Sequence, residues 1–227
     1  MAVSLTRLAP APDLVDQAHR AILDAICDGS LPPGARITQE DLAERLAVSR
    51  QPVLQALRLL KAEGFLQDAP GRGLQVAPLD VRWVRQVYQV RGALDALAAR
   101  LAAQSRCRID PGLIAQGRVV AAGDDIPAMI DADFAFHQAI CQASGNPLLA
   151  RIADQHWQHL RRVMGAVLQT ARRASVWDEH QAIADAIAAG RADEAVALTE
   201  QHNQHAADGL ARGLSQVLNL PHTGDTP

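Results

Sequence analysis

Apolar residues in the first third of the chain recur at helical spacing, and turn-forming residues separate the resulting segments. The spacing predicts a helix over residues 14–28 and a short helix that begins after Thr38, where Thr38 is the N-cap. Ser49 is placed to cap a third helix that runs to about Glu63. Residues 65–78 form two short alternating segments around a Pro-Gly-Arg-Gly turn, a pattern typical of a β-hairpin.

After Pro78 the apolar pattern is helical almost throughout, and it carries no strand signal and no internal repeat. It predicts helices over residues 79–104, 111–122, 127–143, 148–171, 176–189 and 192–217. In the first of these helices the spacing predicts an inward face of Val84, Val87, Val90, Leu94, Leu97 and Ala98. About six helices joined by short turns indicate an antiparallel helical bundle. The fold class predicted for the whole chain is therefore mainly α.

The order helix, turn, helix and hairpin in the first third is that of a winged helix-turn-helix with a small β-hairpin wing. We divide the chain into four predicted parts. These are a flexible arm (1–12), a winged helix-turn-helix domain (13–78), a helical domain (79–218) and a disordered tail (219–227).

The composition narrows the class of protein. Of the 227 residues, 48% are hydrophobic but only 3% are aromatic, which favours a helical core of aliphatic side chains. No apolar run reaches the ~18–20 residues that span a bilayer, and the N-terminus lacks the pattern of a secretory signal. The three cysteines have no metal-binding or disulfide spacing. We therefore expect a cytoplasmic protein with no membrane partner.

The net charge of −3 does not by itself predict a nucleic-acid partner, so a DNA-binding hypothesis depends on where polar groups are placed. The start of the third helix and the hairpin tip carry hydroxyl, amide and guanidinium groups suited to phosphates and base edges. The candidate DNA-binding residues are Thr38, Ser49, Arg50, Gln51, Gln55, Arg58, Gly71 and Arg72. The periodicity alone is equally compatible with a small helical domain that has an ordinary polar surface.

A run of matched motifs over residues 22–76 favours the DNA-binding interpretation. The motifs are Gly29-Ser30-Leu31-Pro32-Pro33-Gly34, Leu42-Ala43, Val48-Ser49-Arg50-Gln51-Pro52-Val53, Ala56-Leu57-Arg58-Leu59-Leu60, Glu63-Gly64-Phe65-Leu66 and the glycines Gly71 and Gly73. At this spacing the segment resembles the N-terminal domain of the GntR family of bacterial transcription regulators. The resemblance implies sequence-specific binding to double-stranded DNA by a homodimer on a palindromic operator. Leu54-Gln55 depart from the Arg-Glu usual there, so an arginine contact with DNA is missing.

Histidines are concentrated in the second part of the chain, where six of the eight lie between Phe136 and Ala206. Asp133 and His137 are four residues apart on one predicted helix, so their side chains share a face and could share a metal ion. His180 and His202 lie on two later helices that a bundle could bring alongside. Three imidazoles and one carboxylate suit Zn²⁺ or Ni²⁺. Taken singly, each histidine is also explained as a solvated or hydrogen-bonded side chain.

A second set of motifs supports the metal site. These are Arg91-Gly-Ala-Leu-Asp95, Asp133-x-x-Phe136-His137, Ser144-Gly145-Asn146, Glu179-His180-x-x-Ile183 and Ala195 with His202 seven residues on. Residues 80–217 thus resemble the FCD effector-binding domain of FadR-like GntR regulators, although Asp95 stands where Glu is more usual. The resemblance implies a divalent metal ion, Zn²⁺ or Ni²⁺, on Asp133, His137, His180 and His202. His205, one turn beyond His202, fits the spacing less well.

Together these features predict a transcription regulator that responds to a small carboxylate metabolite. The carboxylate would complete the coordination of the metal, and we interpret Arg91 and Asn146 as effector-binding residues. The alternative is a metal-dependent, hydrolase-like enzyme with an attached DNA-binding domain, but no general base or nucleophile is placed by spacing. A structural nucleoid protein would need a more positive charge. We therefore predict no enzymatic activity.

Overall fold

The computed structural model describes residues 14–168 and 175–219 of the chain. The break between two compact units falls between Pro78 and Leu79, and each unit is described by itself. The predicted arm and the last turn of the fourth bundle helix lie outside the described residues. The same is true of the predicted tail, except Asn219, which is the last residue of the final helix rather than part of a tail.

Over its described residues, 14–78, the N-terminal unit contains three helices and a small antiparallel sheet. In chain order these are α1 (Leu14–Cys27), β1 (Arg36–Ile37), α2 (Gln39–Arg45), α3 (Arg50–Ala62), β2 (Leu66–Asp68) and β3 (Leu74–Val76). The sheet order is β1-β3-β2, and both pairings are antiparallel. The sequence pattern did not predict β1, because a two-residue strand has no alternation and exists only through its pairing with β3.

Local hydrogen bonds fix the ends of the helix-turn-helix. The Thr38 hydroxyl accepts a hydrogen bond from the Asp41 backbone N–H at 3.2 Å, so Thr38 caps α2 as predicted. Ser49 occupies the N-cap position of α3, but its side chain makes no capping hydrogen bond, contrary to the sequence-based prediction. Its exposed hydroxyl is therefore not used to cap α3. The core between the helices and the sheet contains Ile22, Ile26, Val53, Ala56, Leu60, Phe65, Leu66 and Val76.

The C-terminal unit is a bundle of six helices within the described residues. They are α4 (Val81–Gln104), α5 (Pro111–Ala121), α6 (Ile126–Ala143), α7 (Pro147–Val167), α8 (Val176–Ala188) and α9 (Ala192–Asn219). Helices α5, α6 and α7 each have proline in the first turn behind an Asp or Asn N-cap, which sets where they begin. No helix in the described parts of the chain is long and apolar enough to cross a membrane.

Helix α4 is central to the bundle, because it packs along α9 and also contacts α6, α7 and α8. Its small residues Ala98, Ala99 and Ala102 are completely buried, which lets neighbouring helices approach closely. The apolar pattern had also placed Val90 and Leu97 inward, but they are 51% and 42% exposed. At about 100° per residue, both lie off the stripe that faces the core.

Candidate metal centre and DNA-binding surface

Three histidines from three different helices meet inside the bundle. His137 on α6, His180 on α8 and His202 on α9 are 6%, 0% and 2% exposed. One ring nitrogen of each lies within 4.8 Å of the others. Ring centroids are 5.2 Å apart for His137–His180 and for His137–His202, and 4.7 Å apart for His180–His202. This cluster could hold a metal ion.

Asp133 adds a carboxylate to the same cluster. It lies one turn before His137 on α6. Its oxygens are 3.9 Å from Nε2 of His137 and 3.5 Å from Nε2 of His180, and its side chain is 15% exposed. The structure therefore brings together all four residues that the sequence nominated as ligands, as three nitrogen donors and one oxygen donor.

A network behind His137 orients its ring. The Asp95 carboxylate lies 3.6 Å from Nδ1 of His137 and accepts hydrogen bonds from Arg91 Nε at 3.1 Å and Asn203 Nδ2 at 3.2 Å. With Nδ1 facing this carboxylate, Nε2 points to the cluster. A carboxylate behind a ligating histidine is a common way to fix its tautomer and ring orientation.

Glu179 orients the ring of His202 in the same way. Its two carboxylate oxygens lie 2.9 Å from Nδ1 of His202 and 2.9 Å from Nδ1 of His205. An ionised carboxylate only accepts hydrogen bonds, so Nδ1–H of His202 donates to Glu179 and Nε2 is the ring nitrogen left for a metal ion. The His205 side chain is 47% exposed and lies on the outer side of Glu179, which separates it from the buried cluster.

Burial keeps His137 neutral. Desolvation lowers its pKa well below the usual 6.5, and the charges of Arg91, His202 and His180 lower it further. Its Nε2 is buried and makes no hydrogen bond to any of the described residues. A neutral imidazole with an unused lone pair fits a metal ligand. Burial raises the pKa of the nearby Cys141 thiol to about 12, and Cys141 is not among the residues whose ligand atoms converge in the cluster.

Arg91 borders a small cavity beside the cluster. It is 8% exposed, and its guanidinium carbon lies 5.5 Å from the Tyr88 ring centre and 5.6 Å from that of Trp157. Burial alone would lower its pKa, but Asp95, Tyr88 and Asp133 together more than offset this, and the net shift is upward. The cavity, of about 20 Å³, is bounded by Arg91, Asp95 and His137 together with Leu94, Phe134, Gln138, Ala153, Trp157 and Leu160.

Asn146, the second predicted effector residue, is not among the residues that line this cavity. It is the N-cap of α7, where its side-chain oxygen accepts from the Leu148 backbone N–H at 3.1 Å. Capping explains its presence without a ligand.

The predicted DNA-binding side chains lie at the start of α3 and at the wing. Ser49, Arg50, Gln51 and Arg58 are exposed and Gln55 is half-buried. Thr38 is exposed one element earlier, where it caps α2. Arg50 also makes an ion pair with Glu40 of α2.

The wing tip is a turn with two glycines, and Arg72 lies exposed between them. Gly71 and Gly73 have φ of +90° and +92°, a conformation that favours glycine. Arg36 of β1 donates to the backbone carbonyls of Pro70 at 2.9 Å and Arg72 at 3.3 Å. No role is predicted for Arg36 from its spacing, because the two-residue strand that carries it has no sequence signal.

A winged helix-turn-helix on one chain with a helical domain defines a DNA-binding transcription regulator. Comparison with known families agrees. The profile of bacterial regulatory proteins of the gntR family matches residues 14–76, and that of the FCD domain matches residues 86–205. The chain belongs to the GntR family of transcription regulators and carries an FCD domain, which decides against the enzyme alternative.

Individual relatives agree with this assignment. The HTH-type transcriptional regulator LutR of Bacillus subtilis is 30% identical over 82% of this chain and 96% of its own length. A probable D-xylose utilization operon transcriptional repressor of Paenarthrobacter nicotinovorans is 28% identical over 78% of this chain and 80% of its own. The solved structure of E. coli McbR/YncC has the same fold, with a TM-score of 0.75 and 21% identity over 88% of this chain and 98% of that one.

Proposed function

We propose that this transcription regulator senses a small carboxylate through a divalent metal ion held by Asp133, His137, His180 and His202. The observation that carries the proposal is the convergence of these four side chains from three helices. Two carboxylates lie behind the histidine ligands. Asp95 is beside Nδ1 of His137, and Glu179 is beside Nδ1 of His202. Such outer carboxylates are the usual companions of ligating histidines.

The donor set favours particular metals. Three imidazoles and one carboxylate suit Zn²⁺ or Ni²⁺, whereas Mg²⁺ prefers oxygen ligands and keeps its waters. A bound ion of this kind would act as a Lewis acid that attracts an anionic oxygen. The burial and lowered pKa of His137 support a neutral imidazole at this position, ready for a metal at neutral pH.

The surroundings of the cluster favour an anionic effector. Arg91 is a buried cation next to the cavity that His137 borders, so one ligand could contact both the metal and the guanidinium. A carboxylate has the planar pair of oxygens that both groups bind well. The cavity of about 20 Å³ is the size of one water molecule, so its wall of Phe134, Trp157 and Leu160 would have to move for even a small carboxylate to enter.

For regulation, effector binding must change the affinity of the DNA-binding units for the operator. We propose a homodimer that reads a palindromic operator, because two recognition helices double the contacts that one modestly charged unit can make. An effector that binds one arrangement of the dimer more tightly shifts the population toward it and so changes operator affinity. Sedimentation of the pure protein as a monomer at micromolar concentration would contradict this part.

The test uses the full-length protein. It first enriches its preferred duplex from a random library, and fluorescence anisotropy then measures its affinity for that duplex. We expect a panel of small mono-, di- and tricarboxylates to contain acids that change operator affinity only when Zn²⁺ or Ni²⁺ is loaded. His137→Ala should abolish the response and keep basal DNA binding, while His205→Ala, on the outer side of Glu179, should keep both. A response that survives in chelator-treated protein would refute the metal-dependent mechanism.

A further inference from the structure

Glu40 is an acidic residue in the middle of the proposed DNA-binding surface. It lies in the first turn of α2, and its carboxylate accepts a hydrogen bond from Nη2 of Arg50 at the start of α3. An acidic group beside DNA phosphates weakens binding, so its position against the leading arginine of the recognition helix calls for an explanation.

The two helix starts are joined by a second contact. The Gln39 side-chain amide donates to the Arg50 backbone carbonyl at 2.5 Å, so adjacent residues of α2 hold both the backbone and the side chain of Arg50. The Arg50 and Glu40 side chains are 67% and 74% exposed. An ion pair this exposed contributes little to folding stability, which makes a structural role a weak explanation.

A guanidinium has five N–H donors, and among the described hydrogen bonds the Glu40 carboxylate engages only Nη2 of Arg50. The remaining donors can still form the paired hydrogen bonds by which arginine reads the O6 and N7 edge of guanine. A neutral base edge can therefore be read without breaking the ion pair. A phosphate on the same donors would bring its negative charge against the Glu40 carboxylate, so it must displace Glu40 or be repelled by it.

We propose that Glu40 is a specificity-determining residue that positions Arg50 for a base edge and withholds it from phosphates. On an unrelated sequence Arg50 must leave Glu40 to contact the backbone, which lowers non-specific affinity. On the operator the side chain is already oriented, so less rotamer freedom is lost on binding. The proposal rests on Arg50 contacting DNA, which Arg50→Ala tests separately.

The experiment compares affinities of the full-length protein for two duplexes. One is the duplex that the wild-type protein enriches from a random library, and the other is a scrambled duplex of the same length and base composition. For each recognition helix we expect Glu40→Gln to lower the ratio of the two affinities by roughly threefold to tenfold, as when one rotamer-rich side chain is no longer pre-ordered. Binding to the scrambled duplex should tighten, and its salt slope should steepen by about 0.9 for each added phosphate contact, or about 1.8 for a dimer bound through both helices.

Asp41→Asn is the matched control. Asp41 lies in the same turn of α2, but its carboxylate pairs with Arg45 at 3.7 Å and not with Arg50. Removing this charge should raise both affinities together and leave their ratio unchanged. Glu40→Asp, which keeps the charge on a shorter side chain, should lie between Glu40→Gln and the wild type.

A double-mutant cycle completes the test, because Glu40→Gln should have no effect on the ratio in an Arg50→Ala background. An unchanged ratio in Glu40→Gln, or the same change in Asp41→Asn, would overturn the proposal while leaving the regulator function intact. Unaltered binding by folded Arg50→Ala would instead remove Arg50 from the interface. Failure to enrich any sequence would contradict sequence-specific binding itself.

Discussion

Replacing Glu179 by Gln should weaken metal binding without unfolding the helical domain. The carboxylate lies 2.9 Å from Nδ1 of His202 and its side chain is 24% exposed. Glutamine keeps the shape and can still accept a hydrogen bond, but it removes the negative charge that makes the imidazole a stronger donor to the metal. Because Glu179 is partly exposed and glutamine is nearly the same size, little folding stability should be lost.

The size of the effect follows from the position of Glu179 directly behind a ligand. Loss of such an outer partner typically costs 10–100-fold in metal affinity, about 1.4–2.7 kcal/mol. With Zn²⁺ at 100 times the wild-type Kd, the metal stabilises the wild type by about 2.7 kcal/mol. The variant should retain only about 0.4–1.4 kcal/mol of this, so its Zn²⁺-induced rise in Tm should be smaller by roughly 3–9 °C.

Competition with a chromophoric chelator measures the Zn²⁺ Kd, and thermal denaturation with and without Zn²⁺ measures the stabilisation. Asp178→Asn is the control, because Asp178 is the neighbouring acid in the first turn of α8 and pairs with Arg118 at 2.6 Å. It should bind Zn²⁺ like the wild type. Equal Zn²⁺ affinity in Glu179→Gln and the wild type would refute the idea that Glu179 supports a ligating His202.

Two further predictions concern DNA binding and packing. Arg50→Ala should weaken operator binding by about 1–3 kcal/mol in an anisotropy titration, whereas Arg72→Ala should weaken binding to all sequences evenly and reduce the salt slope. Selective loss at one base pair in Arg72→Ala would mean that the wing reads sequence. Gly117→Ala should cost about 1–3 kcal/mol in denaturant unfolding, because its Cβ would lie 2.1 Å from a ring carbon of Trp177. Gly209→Ala, with open space around it, should not be destabilising.

The sequence predicted the elements whose signals are local. Helix periodicity and the turn and capping residues placed all nine described helices to within a few residues. It missed β1, which exists only through pairing with β3, and it misjudged Val90 and Leu97, whose exposure depends on which face of α4 the neighbouring helices cover. These outcomes depend on tertiary packing, which a single sequence does not reveal.

The candidate site shows the same contrast between what local sequence signals predict and what only tertiary packing determines. Spacing and family resemblance nominated Asp133, His137, His180 and His202, and the bundle brings them together. Spacing had no means to find Glu179 or Asn203, although they adjoin His180 and His202 in the chain. Their roles depend on contacts between helices, because Glu179 reaches from α8 to α9 and Asn203 from α9 to Asp95 on α4.

Metal content is the most direct test of the central claim. Protein purified without chelator should carry about one divalent Zn²⁺ or Ni²⁺ ion per chain by elemental analysis, as expected for a single set of donors. His137→Ala should carry much less at the same purity and with an unchanged helical circular dichroism spectrum. Wild-type protein that contains no such metal, and whose Tm does not move when Zn²⁺ or Ni²⁺ is added, would contradict the account.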